Sequence, residues 1–230
     1  MGTIWRLAFL ASLAVLLFGI WFQISMSRHW TPPSALPYDL SNPVLAMQMS
    51  KPPWPAAMLA LGENMAEMTR QQYIDFGYIP SYTALFICIA ILQWHSERRW
   101  VSVLAPVCIV LILVTAAFDI AENLAILGVT EHHNEASWAA IRPRALVKWA
   151  SAFVVILLQS PFYLTVKLAG FSRLLARALG LASLAAGAVG LLSACTGYER
   201  GIEFGTLPLL LAMLMMPVFL WMGRLRGRAN

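Results

Sequence analysis

Long apolar runs alternate with short polar intervals along this chain. Six runs approach or exceed the about 20 mainly apolar residues that a helix needs to span a bilayer. They cover residues 5–25, 76–94, 101–128, 146–168, 178–196 and 206–223. The pattern therefore predicts an all-α polytopic membrane bundle of about six transmembrane helices, built by residues 1–230 as a single transmembrane domain.

The longest interval between runs, residues 26–75, is an outer loop with two parts. Its first part is rich in proline, which opposes helix and favours extended backbone. From about residue 56 to 74 the apolar positions repeat at helical spacing, which predicts an amphipathic helix lying at the membrane interface. Its apolar stripe is Met58, Leu61, Met65 and Met68, and its polar face is Glu63, Glu67 and Arg70. The stripe is either the buried side of a surface helix or an adaptable wall for a lipid-like ligand.

Composition supports a membrane protein. Hydrophobic residues make up 60% of the chain and charged residues 12%, against about 25% charged in soluble domains. The three cysteines lie inside apolar runs, so a disulfide framework is not expected. Arg6 and the small residues near Ser25 also fit a cleaved signal peptide, although the first apolar stretch is long for one.

The Lys and Arg residues in short loops predict the orientation. One side collects Arg6, Arg98, Arg99, Lys167, Arg173, Arg177, Arg224, Arg226 and Arg228. That side should be the cytoplasm, with both termini inside. The bias is imperfect, because Arg142, Arg144 and Lys148 gather at the opposite face.

Charges inside the third apolar run mark the candidate site, because an ionisable group at membrane depth is costly and usually faces protein or water. Thr115, Asp119, Glu122 and Asn123 follow the spacing i, i+4, i+7, i+8 and share one helical face. Asp75, Tyr78 and Tyr82 share a face of the second span, and Lys148 with Gln159 shares a face of the fourth, which Lys148 opens. The three faces predict one buried, hydrogen-bonded cluster between spans two, three and four, near the outer leaflet.

This cluster has two interpretations. Its charges either pair as structural contacts, or the excess of carboxylates over the one lysine serves acid–base chemistry. In the second case Asp119 and Glu122 are the candidate catalytic acid and base, and Lys148 and Arg70 hold an anionic head group. The full set of candidate binding residues is Arg70, Asp75, Tyr78, Tyr82, Asn123, Arg142, Arg144 and Lys148.

Other patterns are less specific. Ala178, Ala182, Ala186, Gly190 and Ala194 form a small-residue stripe, which predicts either a seam within the chain or a face for a second copy or a membrane partner. The adjacent histidines His132 and His133 lack a metal-binding spacing. We expect no metal, no cofactor and no nucleic-acid partner; the expected surroundings are the lipid bilayer and, under the second interpretation, a lipid-like ligand.

Two motifs carry a family resemblance. Residues 75–82 read Asp-aromatic-x-aromatic-Ile-Pro-x-Tyr, residues 119–123 read Asp-x-x-Glu-Asn, and a lysine opens the next span. Over roughly residues 43–168 the chain resembles small bacterial multi-pass proteins that have no assigned function. The resemblance implies a bacterial inner membrane and adds no chemistry.

Three classes of function follow. The first is a non-catalytic membrane component, such as an assembly factor or subunit. The second is an intramembrane enzyme or binding protein for a lipid or isoprenoid, with the methionine-lined helix as a lid. The third, a proton- or ion-coupled transporter, is less favoured because the two halves show no repeat and no pair of broken helices.

Overall fold

The computed structural model describes residues 2–29, 43–49, 51, 64–132 and 135–226. Its helices are α1 (Gly2–His29), α2 (Pro43–Gln48), α3 (Met65–Trp94), α4 (Arg99–Ser102), α5 (Ala105–Thr130), α6 (Glu135–Thr165), α7 (Phe171–Thr196) and α8 (Glu199–Arg226). Within these ranges there is no strand, and six helices are long and apolar enough to cross a membrane. The predicted all-α bundle is confirmed, and the chain is a multi-pass membrane protein.

The six long helices form a closed ring. α3 packs between α1 and α5, the order continues through α6, α7 and α8, and α8 returns to α1. Aromatic contacts close the ring, with centroid distances of 5.8 Å for Trp5–Phe219 and 5.4 Å for Phe9–Trp221. Gly223 permits this closure because a Cβ there would overlap the Trp5 ring. Every long helix therefore has two neighbours, and the core lies along the ring axis.

The helices end differently at the two ends of the bundle. In the last turn of α3, the Gln93 amide donates to the carbonyls of Val101 at 3.1 Å and Leu158 at 3.0 Å. At the other end, α7 stops at Gly197, whose φ of 68° lies in the left-handed region that glycine adopts without steric cost. A tight reversal into α8 follows.

The predicted interfacial helix differs from what the structure contains. Residues 65–74 are the first turns of the long helix α3, and residues 56–63 lie outside the described residues. Met68 is fully buried, so this part of the methionine stripe is core rather than a lid. Glu67, expected on the exposed polar face, is also buried, because Ser25 on α1 donates to its carboxylate at 2.7 Å.

The fourth spanning helix begins earlier than predicted. α6 starts at Glu135 and includes Arg142 and Arg144, which the sequence placed before the span. Both arginines have partners inside the bundle, so their charges do not end the helix. Lys148 therefore lies about 20 Å along α6 from its first residue, at 1.5 Å per residue, rather than at its opening. The cluster is near mid-helix in α6 and α5.

The short helix α2 is the least expected element, because the proline-rich part of the outer loop predicts extended backbone. Pro43 occupies the first helical position, where its missing N–H costs nothing. Leu45 and Met49 pack into a core cluster with Ala145 and Phe153 of α6. α2 is thus a buried plug in one end of the ring.

The small-residue stripe lies at a seam within the chain at two of its positions. Ala186 and Gly190 are buried, and a Cβ on Gly190 would overlap the Phe153 ring of α6. A Cβ on Gly205 of α8 would lie 2.9 Å from the Gly190 Cα. Of the two alternatives for the stripe, the intramolecular seam describes these positions.

Candidate functional site

Lys148 lies at the centre of a group of buried charges between α5 and α6. Its Nζ is 3.1 Å from Asp119 Oδ1 and 2.7 Å from Glu122 Oε2. The side chains of Lys148 and Asp119 are each 8% exposed, and that of Glu122 is fully buried. Asp119 and Glu122 are three residues apart on α5, so one helical face presents both carboxylates to one ammonium.

α3 completes this group from the other side of α5. The Tyr82 hydroxyl donates to Asp119 Oδ2 at 2.8 Å, and the Asn123 amide donates to Asp75 Oδ2 at 2.7 Å. We call Asp75, Tyr82, Asp119, Glu122, Asn123 and Lys148 the buried ion cluster. Its contacts join the three helices that the sequence predicted, and α5 contributes the central side chains.

Tyr78 links this cluster to the far side of the ring. Its ring meets Tyr82 edge-on with centroids 5.4 Å apart, and its hydroxyl lies 3.5 Å from the Met213 sulfur of α8. Tyr78 therefore packs beside the cluster rather than bonding to its charges.

The plug helix α2 covers the cluster through Gln48. The Trp149 indole N–H donates to Gln48 Oε1 at 3.1 Å, and the Gln48 side chain faces the Glu122 carboxylate. Lys148 Nζ also lies 5.2 Å from the centroid of the Trp149 ring, within cation–π range. α2 thus contributes a polar group to a site that otherwise belongs to the spanning helices.

On its other side the cluster continues into a hydroxyl pair. Thr115 and Ser151 oxygens are 2.8 Å apart, and each hydroxyl also reaches a backbone carbonyl of its own helix. The predicted face containing Thr115 is therefore polar along several turns. This pair adds a neutral contact between α5 and α6.

Besides Tyr78, which packs beside the cluster, three predicted binding residues lie outside it, and all three are arginines. Arg142 pairs with Glu199 of α8 at 3.1 Å and donates to the Met49 carbonyl, and Arg144 donates to the Ala121 carbonyl at 2.7 Å. Arg70 faces the α1 side of α3, where it lies 3.4 Å from Glu67. Arg70 and Lys148 therefore contact different carboxylates, and the expectation that they hold one head group together stays a prediction.

The arrangement holds more carboxyl groups than ammonium groups. Asp75, Asp119 and Glu122 supply three carboxyl groups, whereas Lys148 supplies one ammonium, which contacts Asp119 and Glu122. Hydrogen bonds from Tyr82 and Asn123 also stabilise the carboxyl groups of Asp119 and Asp75. The carboxyl groups of the cluster can chemically retain or exchange a proton. Glu122 is fully buried, whereas Asp75 is half-buried and is the more accessible of the two.

Sequence reasoning missed several polar residues of this region. Gln48 follows a short apolar segment, Val44 to Met47, inside a loop whose prolines predict extended backbone, so helical periodicity gives no signal for it. Ser25 and Gln71, which both contact the Glu67 carboxylate, lie on helices whose mutual rotation the sequence does not specify. The apolar segment between prolines was the one available signal for a buried plug.

Comparison with known proteins adds no relative. No protein-family model, no curated protein and no solved structure matches the chain.

Proposed function

We propose that the chain is a non-catalytic component of a bacterial inner membrane, in which the buried ion cluster fixes the packing of α3, α5 and α6 and seats the plug α2. One observation carries this proposal: the charged groups around Lys148 meet partners from neighbouring helices and are almost inaccessible. A catalytic acid and base must touch a substrate. Asp119 and Glu122 instead contact Lys148, Tyr82 and the plug.

The proposed orientation has both termini in the cytoplasm. It is supported by the Lys and Arg residues at 98–99 and 167–177, which lie at the end of the bundle opposite α2. The test introduces Ser96→Cys or His132→Cys into a chain without its native cysteines. An impermeant thiol reagent added to intact spheroplasts should label position 132 and spare position 96, and the reverse would invert the orientation.

The second candidate is an intramembrane enzyme or binding protein for a lipid or isoprenoid, favoured by the surplus of carboxyl groups over Lys148. Here Glu122 or Asp75 would exchange a proton with a ligand. Asp75 is half-buried and is the accessible edge of the cluster, and the half-buried Tyr78 packs beside it. In this case the charge of Glu122 is needed for activity rather than for packing.

Glu122→Gln separates the two candidates. The amide keeps the shape but loses the ion pair with Lys148, so the structural role predicts a loss of about 1–3 kcal/mol of stability. Thermal unfolding, membrane abundance and complementation of a deletion strain should be measured on the same variant. Glu97→Gln is the matched control, because Glu97 is 70% exposed in the loop after α3.

The outcomes differ clearly. Under the structural role, stability and abundance fall and complementation falls in proportion. Normal stability and abundance with lost complementation would reject the structural role and favour the ligand-binding or catalytic one.

A further inference from the structure

A groove lies between α1 and α3, away from the buried ion cluster. Its volume is about 420 Å³, and Phe18, Trp21, Ala66, Arg70 and Tyr73 line it. Ligand sites of known proteins fall in the range of about 300–1,000 Å³. The groove is therefore large enough for part of a lipid.

Both ends of the groove are fixed by contacts between the two helices. At the outer end, the Ser25 hydroxyl donates to Glu67 at 2.7 Å. At the inner end, the Phe18 ring rests on Gly77, where a Cβ would come within 2.6 Å of the ring. Glycine at position 77 thus lets Phe18 form the floor of the groove.

The walls combine aromatic rings with one cation. The Phe18 and Trp21 rings are stacked with centroids 6.0 Å apart. Trp21 is 55% exposed and Tyr73 is 58% exposed. Tyr73 is held in place because its hydroxyl donates to Glu131 at 2.9 Å. Large exposed aromatic residues of this kind are enriched where a membrane protein meets the lipid head groups.

Arg70 supplies the charge at the rim of the groove. Its side chain is 53% exposed, and its contact with Glu67 is 3.4 Å long. The other oxygen of Glu67 accepts hydrogen bonds from Ser25 and Gln71. Because a guanidinium has five N–H donors, the single carboxylate oxygen orients Arg70 and leaves donors directed away from Glu67.

We infer that this groove binds one anionic glycerophospholipid of the surrounding leaflet. An acyl chain lies on Phe18 and Trp21, and the phosphate accepts hydrogen bonds from Arg70. The planar guanidinium of an arginine can donate two parallel hydrogen bonds to a phosphate, which a lysine ammonium cannot do. The site shares no side chain with the buried ion cluster, so it is independent of the function proposed above.

The test uses the full chain in detergent, titrated with phosphatidylglycerol or with phosphatidylcholine of the same acyl chains, and counts bound lipid by native mass spectrometry. Arg70→Gln should weaken phosphatidylglycerol binding about fivefold, the effect of one basic residue near an anionic lipid surface. Phosphatidylcholine has the same phosphate but also a cationic choline, so its net charge is zero and its binding should weaken less. Arg98→Gln, an exposed arginine at the opposite end of the bundle, is the matched control and should bind both lipids as the parent does.

A second variant tests the groove itself. Ala66→Phe places a ring in the groove and should reduce binding of both lipids, with Thr69→Phe from the same wall as the replacement if that variant does not fold. Unchanged phosphatidylglycerol binding in Arg70→Gln would overturn the role of the charge. Unchanged binding in the folded filling variant would overturn the location.

Discussion

The two sides of α6 contact their neighbours in opposite ways. Towards α5, Lys148 and Ser151 make ion pairs and a hydroxyl contact. Towards α7, Phe153 and Leu157 pack against glycines, and a Cβ on Gly187 would lie 2.9 Å from the Leu157 backbone nitrogen. One helix therefore joins a polar half of the ring to a half held by close backbone approach.

The difference follows from the solvent. Lipid tails are as apolar as leucine, so little hydrophobic force drives one spanning helix onto another. Polar contacts and close van der Waals packing between small residues are the remaining ways to hold helices together. This bundle uses the first for α3, α5 and α6 and the second for α6, α7 and α8.

The two halves should then respond to different mutations. A polar contact fails when one partner is removed and recovers in part when the other is removed too. A close-packed contact fails when an atom is added, and removing a charge elsewhere does not restore it.

The largest effect is expected for Lys148→Met. This change leaves Asp119 and Glu122 buried beside each other without a cation and should cost about 3–5 kcal/mol, or less if a carboxyl group takes up a proton. Unfolding in mixed micelles should be compared with that of Lys167→Met, whose side chain is 75% exposed and pairs with Glu97. The control should lose less than about 1 kcal/mol.

The double variant Lys148→Met with Glu122→Gln should lose less stability than the sum of the two single losses. Strictly additive losses would mean that the two groups do not interact, and the polar half would then need another explanation.

A smaller loss is expected for Gly205→Ala in the close-packed half. The added Cβ would lie 2.9 Å from the Gly190 Cα and 3.2 Å from the Phe153 ring. The backbone of α7 must shift, at a cost of about 1–3 kcal/mol, which is typical of overpacking. Gly19→Ala is the control, because nothing lies within 4 Å of a Cβ added at that position. This change should raise the stability of the helix by about 0.5–1 kcal/mol.

The double variant Gly205→Ala with Lys148→Met tests whether the two halves are independent. Additive losses are expected, because the two positions share no contact partner. If Gly205→Ala were as stable as Gly19→Ala, close packing would not hold α7 and α8 together.

The sequence alone predicted the spanning helices and the cluster, for related reasons. Apolar run length gives each span directly, and the spacing of Asp119, Glu122 and Asn123 gives a shared face on one helix. Charges inside an apolar run need partners, which made Tyr82 and Lys148 natural candidates. The structure confirms the contacts of this cluster, while acid–base roles for Asp119 and Glu122 stay a prediction.

What the sequence did not reveal depends on contacts between distant segments. Arg142 and Arg144 suggested a loop because the sequence does not reveal their partners. The partner of Arg142, Glu199, is far along the chain, and that of Arg144 is the backbone carbonyl of Ala121. Glu67 seemed exposed because helical periodicity does not say which neighbour a face will meet. α2 was hidden because six residues are too few for a periodic signal.

The smallest effect is expected for Asp75→Asn, at the edge of the polar half. The described ion pairs of Lys148 are with Asp119 and Glu122, whereas Asp75 is half-buried and accepts a hydrogen bond from Asn123. An asparagine oxygen can accept the same bond, and the change removes a carboxyl group that makes no described ion pair with Lys148. Stability should therefore stay within about 1 kcal/mol of the parent, the net value of a typical hydrogen bond.

Unfolding should be measured beside Glu122→Gln, which loses a direct ion pair and should be the less stable of the two. A loss above about 2 kcal/mol for Asp75→Asn would show that this carboxylate is matched by a positive charge, and the surplus that favours proton exchange would then be smaller than the contacts indicate.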